Sequence, residues 1–199
     1  EFCDRRIVRG NKHDTAGDRA LGDDAGVRIL DEEMVDDCVT HLVAELVGIS
    51  LCVEPGEACY IPLLHKARGS DDLFGSDDLA EGQMPIDEAL SMLKPVLEDE
   101  SILKIGQNMK YDAKIFAGLN ITVAPIDDTM LMSYAMHGGL HGHGMDTLAE
   151  RYLNHTPIPI KPLLGSGKSA ITFDKVPLEE AVPYAAEDAD ITLRLWRQF

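Results

Sequence analysis

The sequence predicts an α/β protein built on one mixed β-sheet with helices packed against it. Three observations lead there. Apolar runs of strand length come first, at 46–53 and 58–63. Segments with helical apolar spacing follow, at 86–97, 109–118, 128–136, 145–153 and 177–199. A short apolar run at 102–106 is interleaved with them and reads as a buried strand.

The elements follow in chain order. Residues 1–27 are polar, rich in Arg, Asp and Gly and without a period, so they read as a poorly ordered lead-in to a domain spanning 28–199. The chain begins Glu1-Phe2 without a Met, which suggests an excised piece or a cloning remnant. Leu46 to Val53 is a strand, Glu54-Pro55-Gly56-Glu57 a turn, and Ala58 to Leu63 the return strand of a hairpin. Pro62 lacks an N–H and belongs at a strand end or edge. The acidic, Gly- and Ser-containing stretch from Asp71 to Glu81 reads as an exposed loop. In the helix at 86–97, apolar residues fall at 86, 89, 90, 93, 96 and 97, and Pro95 should bend its end. Asp128 is placed to cap the helix that follows it.

Composition excludes several classes. The chain has 199 residues, 45% of them hydrophobic, which is ample for one domain-sized core. No apolar run approaches the ~18–20 residues of a membrane span, and no secretory leader is visible. The formal charge is −17, with −14 carried by residues 1–99 and −3 by the rest. A general nucleic-acid coat needs a basic footprint and is excluded. Nucleic-acid chemistry through a local basic rim, or through metal ions that offset both charges, stays open. The four cysteines show no C-x-x-C spacing and read as buried reduced thiols of a cytoplasmic protein.

Three acidic constellations are candidates for chemistry. In Tyr184-Ala185-Ala186-Glu187-Asp188-Ala189-Asp190, helical geometry puts Ala181, Tyr184, Asp188, Ile191 and Leu195 on one face. A carboxylate inside an apolar stripe must be paired, act as a cap or bind a cation. Glu187 and Asp190 fall away from that stripe and read as solvated. In Gly106-Gln107-Asn108-Met109-Lys110-Tyr111-Asp112, a strand ends and a helix begins, where functional groups of α/β sheets gather. The simpler alternative is that Asn108 caps the helix and Asp112 favours its dipole. In Asp31-Glu32-Glu33, carboxylates at i and i+2 on a strand end face one side and could share a divalent cation, or form a solvated acidic run. Two weaker patterns are Gly165-Ser166-Gly167-Lys168-Ser169, which lacks the leading Gly of a P-loop, and the loop histidines His137, His141 and His143, which have no neighbouring Cys or carboxylate to complete a zinc site.

These motifs, together with Ala44-Glu45-Leu46-Val47-Gly48-Ile49-Ser50, Asp128-Thr129-Met130-Leu131 and Met145-Asp146-Thr147-Leu148-Ala149-Glu150-Arg151, give residues 43–199 a strong resemblance to the proofreading 3′–5′ exonuclease domain of bacterial DNA polymerase I. The resemblance implies a ribonuclease-H-like mixed β-sheet flanked by helices, and four acidic metal ligands in three motifs. It assigns the ligands as Asp31 and Glu33, Asp112, and Asp188. Tyr184, four residues before Asp188, would mark the tyrosine-type branch and orient the attacking water. Asn108 and Phe173 would meet the DNA end, Phe173 by stacking a terminal base. Lys110, with Lys114, Lys161 and Lys168, would contact phosphates. The run Asp31-Glu32-Glu33-Met34 departs from the family's Asp-Thr-Glu-Thr.

The implied activity is metal-dependent removal of nucleotides from the 3′ end of single-stranded DNA. Two Mg²⁺ or Mn²⁺ ions, roughly 3.5–4 Å apart, would clamp the last phosphodiester. The chain would be a detached proofreading module or part of a larger polymerase. The altered first motif supports a second reading, a catalytically silent exonuclease-like domain that binds DNA ends or acts as a scaffold. A third is a related enzyme that trims RNA 3′ ends.

Overall fold

The computed structural model describes residues 8–9, 25–30, 45–67 and 78–199. Asp31 and Glu33 lie outside the described residues, as does most of the acidic stretch expected to form a loop at 71–81. Two short strands, β1 (Val8–Arg9) and β2 (Ala25–Leu30), begin within the segment read as a lead-in. The end of β2 is the strand end expected just before Asp31, whereas β1, only two residues long, has no period to show.

The hairpin forms as expected, from β3 (Gly48–Glu54) and β4 (Glu57–Pro62). Its two-residue turn, Pro55-Gly56, places Gly56 at φ +82°, the left-handed region that Gly enters without a Cβ clash. Pro62 is the last residue of β4. After α1 (Ile86–Leu97), which contains Pro95 near its end, come β5 (Lys104–Gly106) and α2 (Met109–Gly118). A three-residue strand not foreseen, β6 (Ile126–Asp128), leads directly into α3 (Thr129–His137). The helix expected at 145–153 is α4 (Met145–Leu148), continued by one π-helical turn over Ala149–Leu153. The short α5 (Ile160–Leu164) was also not foreseen, being only five residues long. The chain ends in α6 (Leu178–Gln198).

The strands form one mixed sheet in the order β1-β4-β3-β2-β5-β6. The pairs β1–β4, β4–β3 and β3–β2 are antiparallel, and β2–β5 and β5–β6 are parallel. Both faces are covered. On one, Ile49, Ile61 and Leu63 pack with Ala89, Leu93 and Leu97 of α1 and with Met109, Ile115 and Phe116 of α2. On the other, Cys52, Ala58 and Ile105 pack against Ala186, Ala189 and Leu193 of α6. A strand covered on both sides needs an almost continuous apolar sequence, which is why 46–53 alternates only in part. The alanines of α6 let its axis lie close across β2, β3, β4 and β5. Truncating Leu193, 1% exposed, to Ala should cost about 2–5 kcal/mol.

One buried polar group in this frame is tied down by backbone carbonyls. Lys104, wholly buried, donates from Nζ to the carbonyls of Asp99 (2.7 Å) and Ala124 (2.5 Å). The cysteines correct the expectation of uniformly reduced thiols. Cys52 is free and buried, its thiol pushed up to about 12 chiefly by burial and then by the Asp190 carboxylate, whereas Cys59 is disulfide-bonded.

Candidate active site

The parallel half of the sheet delivers the first acidic corner. A Cβ on Gly106 would lie 2.5 Å from the Met109 sulfur, so Gly at the end of the strand leaves room for the Met109 side chain at the start of α2. Gln107 is buried, donates to the His143 carbonyl (2.8 Å) and accepts from Thr129 Oγ1 (2.5 Å). Asn108 takes the left-handed conformation, φ 60° and ψ 44°, which Asn tolerates better than most residues.

Asn108 is not the cap suggested by the simpler sequence reading, since its side chain makes no capping bond. Asp128 does that work from β6. Its Oδ1 accepts from Asn108 N (3.1 Å) and its Oδ2 from Met109 N (2.8 Å), at the start of α2. Oδ1 also accepts from Met130 N (2.9 Å) and Leu131 N (3.2 Å), at the start of α3. One carboxylate therefore serves two helix N-termini. The sequence signalled only the α3 cap, because the second helix is brought alongside by the β5–β6 pairing. The side chain of Asn108 is left half-buried at the strand–helix corner, uncommitted to the cap.

Asp112 lies on the inner side of α2, 3% exposed, beside the core residues Met109, Ile115 and Phe116. Lys110 points outward and lines an open groove of about 740 Å³ with Lys114, Leu131 and Met132.

The second acidic position is on α6, the helix crossing β5. Tyr184 (7% exposed) and Asp188 (1% exposed) are one turn apart on its buried face, as the periodicity predicts. The turn after Asp188 is fixed by Thr192 Oγ1, which donates to the Asp188 carbonyl (2.8 Å). Glu187 and Asp190 are not solvated as expected. Glu187 accepts from Ile158 N (2.6 Å) and bonds His155 Nε2 (2.8 Å). Asp190 accepts from Gly56 N (2.6 Å) and pairs with Arg194 (3.4 Å). Both carboxylates fasten loops to α6, because a long helix laid across a sheet has neighbours on most of its circumference.

Phe173 is placed differently from the expectation of a base platform. It is 2% exposed, in a cluster with Val47, Tyr60, Val176, Ala181 and Tyr184, and stacking on a base needs an open ring face. Lys161 is exposed. The histidine loop is structural: His141 Nε2 and His137 Nδ1 bond the Tyr152 hydroxyl (3.0 and 3.2 Å), and Ser133 bonds His143 Nδ1 (2.9 Å). Gly167–Ser169 is a 3₁₀ turn after α5, without the strand that a phosphate loop requires. Among the described residues, no group of three or more His, Cys, Asp or Glu is arranged to hold a metal ion. No helix among them is long and apolar enough to cross a membrane.

Asp112 is on α2, the helix that follows β5, and Asp188 is on α6, the helix that crosses β5. Both are hard oxygen donors, a chemistry that fits a divalent cation.

Residues 30–199 match the 3′–5′ exonuclease family of the DNA polymerase A type. DNA polymerase I of Rhizobium leguminosarum is 49% identical over 162 residues, covering 77% of this chain and 16% of that protein. The chain thus spans about a sixth of the length of this relative. Two solved structures are similar at low identity. Brucella melitensis NrnC superposes with a TM-score of 0.60 at 16% identity, over 88% of this chain and 71% of that one. Escherichia coli RNase D, an exoribonuclease, gives 0.56 at 19%, over 88% and 38%. These two likenesses carry the ribonuclease-H-like fold.

Proposed function

The chain belongs to the 3′–5′ exonuclease family of DNA polymerase I, and from that premise we propose that it removes nucleotides from the 3′ end of single-stranded DNA by divalent-metal-dependent hydrolysis. The observation that carries the reading is a buried Asp188 one helical turn from Tyr184 on α6, a helix that crosses the strand leading to Asp112. The domain acting in this way is residues 28–199.

In this reading Asp31, Glu33, Asp112 and Asp188 hold two Mg²⁺ or Mn²⁺ ions. Such ions, when bound, make water more acidic and offset the charge of the phosphate. The chain's own groups do the rest. The Tyr184 hydroxyl holds the attacking water in line with phosphorus. Asn108, at the strand–helix corner, meets the terminal nucleotide, and Lys110 beside it contacts backbone phosphate. The water oxygen bonds to phosphorus, the bond to the 3′ oxygen of the preceding nucleotide breaks, and that oxygen takes up a proton. The products are a nucleoside 5′-monophosphate and a strand one nucleotide shorter. A polymerase domain, as in the longer relatives, is the partner that would supply mispaired 3′ ends.

The departure of Asp31-Glu32-Glu33-Met34 from the family's first motif favours a second reading, a silent domain that binds DNA ends. Digestion of a 5′-labelled single-stranded DNA oligonucleotide with Mg²⁺ or Mn²⁺, against EDTA and Asp188→Ala, separates the two. A ladder shortening from the 3′ end, absent from both controls, is expected. No cleavage by folded protein would contradict the enzymatic reading and leave the silent one. Faster digestion of an RNA oligonucleotide of the same sequence would move the substrate to RNA.

A further inference from the structure

His65 is wholly buried, although no step above uses it. It lies three residues past the end of β4, and its backbone is held on both sides by Gln83. Its N–H donates to Gln83 Oε1 (2.7 Å), and Gln83 Nε2 donates to its carbonyl (2.8 Å). The ring is fixed as well. Nδ1 lies 3.1 Å from the Val176 carbonyl and Nε2 lies 2.8 Å from the Tyr60 hydroxyl. A carbonyl only accepts, so Nδ1 carries the proton and Nε2 accepts from Tyr60. Burial holds the imidazole below its usual range and pushes the Tyr60 hydroxyl up, so the neutral pair keeps this direction of donation. The Asp174 carboxylate acts on this ring by its charge and pairs with Lys66 at 3.3 Å.

The strand sequence is arranged around this pair. A Cβ on Gly48 would fall 2.1 Å from the Tyr60 hydroxyl oxygen, so only Gly at 48 lets the Tyr60 ring lie where it reaches His65. The pair in turn backs Phe173. The His65 and Phe173 rings are 5.5 Å apart at 65°, and those of Tyr60 and Phe173 are 6.4 Å apart at 78°. Phe173 then meets Tyr184 at 5.9 Å and 54°. The 3₁₀ turn carrying Phe173 is anchored beside it, because Lys66 N donates to the Asp174 carbonyl (2.7 Å) and Thr172 Oγ1 donates to the Asp174 carboxylate. A continuous set of rings therefore runs from His65 to the residue proposed to hold the water.

We propose that His65 is a positioning residue: with Tyr60 it fixes Phe173, and through Phe173 it sets the ring of Tyr184. This inference rests on the role of Tyr184 given above. It assigns work to three buried rings that never meet the substrate, and it makes Phe173 a wedge instead of a base platform.

Tyr60→Phe tests it with the smallest change, deleting one hydroxyl and keeping the ring. His65→Gln is the second variant. The full 199-residue chain is used, with kinetics on a 5′-labelled single-stranded oligonucleotide and NMR of ¹³C-ring-labelled tyrosine. Tyr60→Phe should lower kcat about tenfold with KM within about twofold, since a small misplacement of an orienting group acts on the transition state. The Tyr184 ring signals should shift or broaden in both variants. Wild-type kcat in both, or Tyr184 signals unmoved in both, overturns the proposal. A fall in thermal stability with kcat unchanged would mean a structural role alone. Failure of the functional reading looks different: the wild type then leaves DNA intact, while the Tyr184 signals still respond to Tyr60→Phe.

Discussion

Asp128 and Asp188 are both buried, 8% and 1% exposed, but the fold treats them in opposite ways. Asp128 stands at the junction of a strand and a helix, where backbone N–H groups have no helical partners, and its two oxygens accept four of them. Asp188 stands in the middle of α6, where the N–H groups around it are already engaged along the helix. Asp188 is therefore not a helix cap. The carboxylate at the helix start is spent on architecture, and the one on the buried helix face is the one we propose to act in chemistry. Depth alone does not separate a structural acid from a functional one.

The strongest way to break that contrast is Asp188→Ala. Exonuclease turnover should fall by more than about a hundredfold, beyond the 10–100-fold cost of losing a residue that only supports a metal ligand. Urea unfolding without divalent ions should show that the variant still folds, so that the loss is read per folded molecule. Retained turnover would place Asp188 with Asp128. Asp128→Ala should do the reverse. It strips the caps of α2 and α3 and should cost about 2–4 kcal/mol in urea unfolding, with a far smaller fall in turnover per folded molecule. Unfolding that matches the wild type would remove the capping account.

His65 extends the comparison to a base satisfied from within. Burial holds its folded pKa below the unfolded value of about 6.5, so the folded state favours the neutral ring. Its contribution to stability is fully present above about pH 6.5 and is lost as pH falls toward the lower folded value. Unfolding free energies measured between pH 7.5 and 5 should decline in the wild type and decline less in His65→Gln. Equal slopes would deny the neutral, bonded imidazole. The smallest effect concerns Asp127, the neighbour of Asp128, which accepts from Trp196 Nε1 at 2.7 Å. Trp196→Phe should cost about 1 kcal/mol with turnover unaffected, as read by urea unfolding and the same digestion assay.

Much of this was legible in the sequence, and the limits have physical causes. The hairpin, α1, α2, α3 and the burial of Tyr184 and Asp188 follow from local periodicity and turn chemistry, which act within a few residues. What escaped depends on partners distant in sequence. The second cap made by Asp128 exists only because β6 pairs with β5. Glu187 and Asp190 look solvated on a helical wheel, yet loops from 155–158 and from the β3–β4 turn close over them. Gly48 reads as an ordinary strand glycine until the Tyr60 ring is seen lying over it. Strand β6 and helix α5 were too short to show a period. Lys110 is exposed and Asn108 half-buried at the strand–helix corner, whereas Phe173 is buried because Tyr60, His65 and Tyr184 surround it. Asp31 and Glu33 stay candidates on their spacing and on the family pattern.

The contrast between the two aspartates is tested most directly by Mn²⁺ binding, followed by electron paramagnetic resonance on the wild type, Asp188→Ala and Asp128→Ala at a temperature where all three are folded. The account predicts that wild type and Asp128→Ala bind Mn²⁺ alike, and that Asp188→Ala loses most of that binding. Binding by Asp188→Ala equal to that of the wild type would contradict it.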